Sequence, residues 1–567
     1  MNSPDPTAAV RRAAYLFLGT IAVAVMVAKI VGAENVYEPS RYAPPAADSF
    51  GAGRIDAPSR KWPAERPDPT PAFGSNDRSR WATVESLVHG GTYVVGTRKD
   101  FAGTAKPFGD HGIIFDPKTE RILTLDVVMN PATGEFFSSK PPLFATLLAG
   151  EYWLLHELTG VDIRTDRWPV MCVILLTVNV LPFVLYLLLL AKLAERHGRT
   201  DFGKLLTFAV AALGTFLLTF SNTLNNHTPA AYCALFAVYP FLASRDRGAT
   251  YLIAGLCAGM AVCLDLPSAA LAAALAAALL WVRPKFGLLF AVAAVVPVIG
   301  QFACNYAALG TFTPAYAEFG GPWYNYAGSH WAKWDLVKAG RHVPGLDFNR
   351  EPTHIYAFHV LFGHHGWFSL TPAFLLGLAA MIGGVRRGVR DAADFVFAGP
   401  PLPWGRGVRG EGDSCESSPV SDPPVPGPDS PSPLPLSPRG EGFQPGPSPP
   451  GEGDQQSLFS LPLFTLMTAV VSAVVVGFYL TRTQSYNYGG NTSGPRWLFW
   501  LIPLWLVCGL SAADWLGRRR WGGLVAALLL GVSALSAFYP AWNPWRSPWV
   551  MQAGERLHWW NYEAPKR

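Results

Sequence analysis

Runs of about 20 apolar residues with almost no charge constrain this chain more than any other feature. A helix of that length crosses a bilayer core of about 30 Å, and lipid leaves a spanning backbone few alternatives. The first run, 13–32, follows Arg11 and Arg12. Others lie near 168–191, 205–221, 228–243, 249–264, 268–282, 286–309, 360–383, 457–480, 497–515 and 521–539. These predict an all-α polytopic membrane protein with about 11–13 transmembrane helices. Composition agrees, since only 15% of the residues are charged against about a quarter in soluble domains. The net charge of +5 is the mark of loops retained in the cytoplasm and does not argue for nucleic acid. The first run has the basic flank of a signal peptide, but no small-residue cleavage site follows and Lys29 sits near its far end, so 1–32 reads as an uncleaved anchor helix. Six cysteines lie in or beside apolar runs and Cys415 stands alone in a Pro-rich segment; no disulfide framework or metal spacing follows.

Compact basic loops orient such a chain, because Lys and Arg near helix ends stay cytoplasmic. The five candidates are 192–204, 245–247, 283–285, 386–390 and 518–520. All five share one side if the semi-apolar segment 141–160, which contains Glu151, His156 and Glu157, lies in the interface instead of crossing. The opposite side then receives a large first loop (33–140), the turns 222–227 and 265–267, the loop 310–352, the loop 481–496 and a Trp-rich tail (540–567) that reads as a surface-lying cap. The helices fall into a bundle 141–390 and a C-terminal group 457–539. Between them, 391–456 is rich in Pro, Gly and Ser and repeats Arg-Gly-Glu-Gly at 409–412 and 439–442. Such a composition cannot bury a core, which predicts a disordered cytoplasmic insert. Deleting 405–453 is expected to leave membrane insertion and activity nearly unchanged, because loop closure costs grow slowly with length; loss of activity in a normally inserted protein would contradict this.

Three polar constellations fall on the outer side. Asn76-Asp77-Arg78-Ser79-Arg80-Trp81 opens a helix-like stretch in the first loop. Asp77 is either an N-cap or a carboxylate serving as general base or metal ligand, with Arg78 and Arg80 favouring its ionised form. Ser138-Ser139-Lys140-Pro141-Pro142-Leu143 opens the next helix, where Pro fits the first turn and Lys140 suits an anion or a lipid phosphate. Tyr486-Asn487-Tyr488-Gly489-Gly490-Asn491-Thr492-Ser493-Gly494-Pro495-Arg496-Trp497 precedes an apolar run, placing Arg496 where a guanidinium can bind an anion by two hydrogen bonds. Asp126 and Asp265 are weaker candidates for a base. His227 is either a satisfied turn residue or a ligand. The aromatics of 310–352 suit an interfacial belt or a sugar platform.

In combination these pieces resemble the GT-C membrane glycosyltransferases, and more closely the branch related to protein O-mannosyltransferases and the lipid A aminoarabinose transferase. The matching residues are Asp77, Phe137 to Leu143, Asn225-Asn226-His227-Thr228-Pro229, Leu309 to Pro314, Phe362-Gly363-His364-His365-Gly366 and Tyr488 to Trp497. The resemblance implies an extracytoplasmic site, a polyprenyl-phosphate-linked sugar as donor, a lipid, glycan or protein acceptor, and an inverting displacement. It implies catalysis by Asp77 and donor-phosphate binding by Lys140, with a divalent metal as an option. Arg496 joins Lys140 as a second phosphate-binding candidate; Arg78, Arg80, Asp126, His227, Asp265 and Tyr488 are secondary candidates. Arg78 follows Asp77 where the mannosyltransferases carry an Asp-Glu pair, so the resemblance does not carry mannosyl specificity over to this chain. The competing class is a lipid-glycan transporter, which would show internal repeats; none is evident.

Overall fold

The computed structural model describes residues 6–33, 74–97, 113–116, 121–122, 124–243, 247–326, 328–349, 351–397, 457–483 and 488–562. The Pro-rich start of the first loop and the insert beyond Phe397 lie outside them, as do Tyr486 and Asn487.

The chain is an all-α polytopic membrane protein. Among the described residues, six helices are long and apolar enough to span a bilayer: Thr7–Gly32, Arg167–His197, Asp201–Thr219, Pro284–Leu309, Leu461–Leu480 and Arg496–Gly517. Gly248–Leu264, Leu266–Val282 and Gly522–Phe538 are shorter apolar helices. His227–Ala243 packs with them and is buried along most of its length. Inside the second span, Leu176–Val180 winds as a π turn, where the buried Asn179 donates to the Ser221 and Thr223 carbonyls at 2.7 and 3.2 Å. The run 360–383 departs from a single helix. It divides into Thr353–Leu361, Trp367–Leu370 and Phe374–Phe397, because Gly363 and Gly366 bend the backbone and Pro372 cannot continue an i→i−4 ladder.

Polar contacts sort the helix ends. At one end Arg11 pairs with Glu195 at 3.0 Å and Asp201 at 2.6 Å. Asp514 accepts the Arg199 and Thr200 N–H groups, each at 2.8 Å. His197 meets the Leu242 carbonyl at 3.1 Å, Phe286 stacks on Tyr251 with centroids 5.4 Å apart, and Ser460 bonds Asp391. The described residues of all five basic segments are thereby drawn to the same end. At the other end Lys29 donates to the Thr219 carbonyl at 2.7 Å, Thr219 to the Ala537 carbonyl at 2.6 Å, and Asn222 to the Trp542 carbonyl at 2.6 Å.

Helix Pro142–Thr159 begins and finishes at this second end. Lys140, just before it, pairs with Asp126 at 2.6 Å, and Asp162, just after it, meets His89 of the first loop at 3.4 Å. Both ends of this helix thus touch the first loop, as an interfacial placement of 141–160 requires. Cysteine labelling in intact cells is expected to modify position 91 from outside and leave position 200 protected. The reverse pattern would invert the membrane orientation.

Three antiparallel strands in the order Val94–Thr97, Glu135–Ser138, Val127–Met129 lie over this end. The first and third fall in the stretches 92–96 and 121–128, whose β-branched residues predict strands. The central one, in Gly134-Glu-Phe-Phe-Ser, carries no such signal, since two adjacent aromatics give no period-2 alternation.

Candidate active site

The strands fix the first loop's helix, Ser75–Gly90, against the membrane bundle. Ser79 Oγ donates to the Asp126 carbonyl at 2.6 Å and lies 2.6 Å from Ser138 Oγ. Gly74 is the N-cap and Asp77 the third helical residue, so Asp77 is not the cap. Its carboxylate is fully buried. Oδ2 accepts the Trp545 indole N–H at 2.7 Å and the Gly74 N–H at 3.4 Å. Oδ1 has no hydrogen-bond partner among the described residues. Burial pushes the Asp77 pKa up to about 7, opposed by the Trp545 and Gly74 donors and by the charges of Arg80 and Arg78. Gly74 permits the close approach, since a Cβ there would stand 2.7 Å from the Trp545 ring.

One turn on, Arg80 is buried and ties the first loop to the bundle. It donates to the Asn76 carbonyl at 3.1 Å and also to the Asn76 side chain, and reaches Asn226 Oδ1 at 2.7 Å. Burial pushes its pKa down to about 10, while Asp77 and Asp126 hold it up. Arg78 turns the other way and donates to the Ile113 carbonyl at 3.1 Å, a structural tie within the first loop.

Lys140 sits half-buried before its Pro-capped helix. Its partner at 2.6 Å is Asp126, which the sequence offered as an alternative base and the structure makes a counter-ion. Burial pushes the Lys140 ammonium below its ordinary value, and Asp126 raises it. A small pocket lies beside it, lined among others by Ser139, Pro141, Asn305, Leu309 and Tyr316. The Leu309 to Pro314 motif thus lies against the Lys-Pro-Pro motif.

Asp265 and His227 answer each other across two helix ends. His227 Nδ1 stands 3.0 and 2.9 Å from the two Asp265 oxygens, and Asn226 donates to the Leu264 carbonyl at 2.6 Å. Both side chains are therefore paired, and Asp265 is no longer an idle carboxylate at a membrane depth where charge is costly.

Arg496 arrives from the far end of the sequence. Its Nη2 donates to the Gly489 carbonyl at 2.9 Å, and its guanidinium lies 4.8 Å from the Trp545 ring centroid. Its Nε and Nη1 have no hydrogen-bond partner among the described residues. Gly489 and Gly490 take φ of +87° and +69°, a left-handed pair that folds the loop back under the guanidinium and that side-chain-bearing residues disfavour. Tyr488 points into a second buried cluster, bonded to Glu351 and stacked on Tyr356 and His365.

These groups share one electrostatic field. Arg496 feels Asp126, Asp265 and Asp77; Lys140 feels Asp126, Arg496 and Arg80; His227 feels Arg496, Arg80 and Lys140. Segments 76–80, 126, 140, 226–227, 265 and 496 are thus gathered at one end of the bundle.

Sequence reasoning missed Trp545. The composition of the tail predicts a surface cap, yet Trp545 is 9% exposed and packs edge-on against Phe220 at 5.4 Å. A buried indole seeks an acceptor for its N–H, and Asp77 supplies it; no local pattern in Trp542-Asn-Pro-Trp545 signals that contact. The aromatics of 310–352 are likewise neither a plain belt nor an open platform. Tyr326 donates to the Val127 carbonyl at 3.3 Å and Trp331 to that of Leu125 at 2.8 Å, clamping one outer loop to the other.

Among the described residues no group of three or more His, Cys, Asp or Glu is placed to hold a metal. The groups on Asp77 are two N–H donors, from Trp545 and Gly74, and guanidinium charges, which hold a carboxylate and do not complete a cation's shell, so the optional metal does not fit these residues.

No protein-family model matches the chain, and no curated protein matches it. Among solved structures it is similar to the Archaeoglobus fulgidus oligosaccharyltransferase in complex with Zn and sulfate, at 11% identity and a TM-score of 0.40, covering 96% of this chain and 55% of that one. It is also similar to archaeal oligosaccharyltransferase AglB from Archaeoglobus fulgidus in complex with an inhibitory peptide and a dolichol-phosphate, at 13% identity and a TM-score of 0.38, covering 96% and 57%. The chain spans little more than half the length of these structures.

Proposed function

We propose that this protein is an integral-membrane glycosyltransferase that moves a sugar from a polyprenyl-phosphate donor to an extracytoplasmic acceptor hydroxyl. The observation that carries the reading is the convergence of Asp77, Lys140 and Arg496 from three distant parts of the sequence: Trp545 touches both Asp77 and Arg496, and Asp126, the partner of Lys140, accepts from Ser79 on the Asp77 helix. In the reaction Asp77 takes the acceptor proton as the hydroxyl oxygen bonds to the anomeric carbon. The bond from that carbon to the phosphate oxygen breaks, and its electron pair leaves with the phosphate. Lys140 and Arg496 supply positive charge where that negative charge develops, and preorganised charge is often the largest catalytic contribution. Attack from the face opposite the leaving group inverts the anomeric configuration.

Purified protein in detergent, given a panel of polyprenyl-phosphate-linked sugars, is expected to form a new glycosidic bond with at least one. Transbilayer movement of the lipid-linked sugar with no new bond would replace this reading with a transporter.

The raised pKa of Asp77 makes the reaction pH-dependent. The carboxylate, which is the form that accepts a proton, appears as pH rises through about 7. Transfer should therefore climb between roughly pH 6 and 8 and level above that. Stability runs the other way: a carboxyl whose folded pKa lies above its unfolded value favours folding at low pH, and that contribution is lost as pH rises toward 7. A rate profile flat across this range would remove Asp77 as the base.

A further inference from the structure

The C-terminal segment that follows the last membrane helix contributes one side chain to the site, and its geometry is specific. The Trp545 indole N–H donates to Asp77 Oδ2 at 2.7 Å, and its ring face lies 4.8 Å from the Arg496 guanidinium. The backbone around it is anchored as well: the Ser493 N–H donates to the Pro544 carbonyl at 3.0 Å, and Asn222 donates to the Trp542 carbonyl at 2.6 Å. One indole therefore touches both the carboxylate and the cation. Each of those two groups also keeps buried polar atoms with no hydrogen-bond partner among the described residues: Asp77 Oδ1 on one, Arg496 Nε and Nη1 on the other. Buried polar atoms without partners are costly, and here they lie on the two groups that the same ring joins.

Resting on the transferase reading, we infer that Trp545 is a positioning residue: by occupying Oδ2 and carrying Arg496 on its ring face, it leaves Oδ1 as the oxygen that takes the acceptor's proton and holds the guanidinium facing the departing phosphate. The hydrogen bond orients the carboxylate without consuming its basic oxygen. The ring contributes cation–π attraction, and the guanidinium Nε and Nη1 keep no hydrogen-bond partner among the described residues. The tail thus completes a site whose other members come from the first loop and from membrane-helix ends.

The charged groups acting on Asp77 are Arg80 from its own helix, Arg78 more weakly because its guanidinium is turned to Ile113, and Arg496 from the helix Arg496–Gly517; Trp545 and the Gly74 N–H are the neutral donors among them. Removing that donor takes a hydrogen bond from the ionised form and leaves the cations in place, so the carboxyl should titrate higher by about one pH unit.

The test compares full-length wild type with Trp545→Phe, which keeps a ring under Arg496 and deletes the N–H, and with Trp545→Leu, which deletes both. Trp545→Phe should move the rising limb of the rate profile up by about one pH unit while the donor KM stays within about twofold. Trp545→Leu should shift the limb equally and raise the donor KM several-fold more. An unmoved limb in both variants would overturn the assignment. A readout without substrate separates this from the transferase reading: the Asp77 carboxyl band, isolated as the infrared difference between each protein and its Asp77→Asn counterpart, should titrate higher in Trp545→Phe than in wild type. If that band shifts and no donor is turned over, the positioning contact stands and the transferase reading fails; if the band does not shift, the positioning role fails whatever the activity. Should Trp545→Leu not fold, the Phe variant and its band decide alone.

Discussion

Asp77→Asn is expected to lower sugar transfer by roughly 10²–10⁴-fold, the range for loss of a general base, with donor binding largely retained. The amide keeps the carboxylate's shape and can still accept the Trp545 N–H, now made at 2.7 Å, so the architecture around the third helical residue survives. It cannot take a proton. The same substitution should not destabilise the protein above pH 7 and is expected to raise its melting temperature there, because an ionised carboxylate buried at this position pays a desolvation cost large enough to push its pKa to about 7. Opposite signs for activity and stability are the signature of a site whose strain serves function. Transfer at the wild-type rate, measured over several pH values with a saturating donor, would remove Asp77 from the mechanism.

Lys140→Ala should differ in kind. It removes a charge that meets both the bound and the departing phosphate, so donor KM should rise and turnover fall, each by about tenfold or more on the usual strength of a charged hydrogen bond. Asp126→Asn is expected to move donor affinity the opposite way, because the phosphate then no longer competes with a carboxylate 2.6 Å from the ammonium. Combining the two should give non-additive effects, since Asp126 acts on the donor through Lys140. Donor titration with turnover measured at each concentration separates these outcomes; a Lys140→Ala enzyme with wild-type donor KM would show that the ammonium serves only its pairing with Asp126.

Much of the architecture was legible in the apolar runs. Ten of the eleven correspond to helices at nearly the expected places, because a bilayer admits few other structures and the signal is local. The eleventh, 360–383, failed where two glycines and Pro372 interrupt a stretch whose mean hydropathy hides them. The side-by-side placement of the basic loops is also an expectation from sequence, and the contacts of Lys140 and Asp162 with the first loop, at the two ends of Pro142–Thr159, agree with it.

The sequence by itself singled out the candidates: Lys140 and Arg496 stand beside Pro at helix starts and Asp77 opens a helix between polar residues, and ionisable groups near a membrane are costly to leave idle. What each one touches was decided by tertiary structure alone. Asp126 became a counter-ion, Asp265 a partner of His227, Arg78 a backbone clamp and Tyr488 a member of another cluster. Trp545, 468 positions from Asp77, entered the site without any local pattern to announce it. Periodicity and charge report on the solvent a segment prefers, a property of a few neighbouring residues. Hydrogen-bond partnership between distant segments depends on where the helix ends are brought together, and that is fixed only when the whole bundle packs.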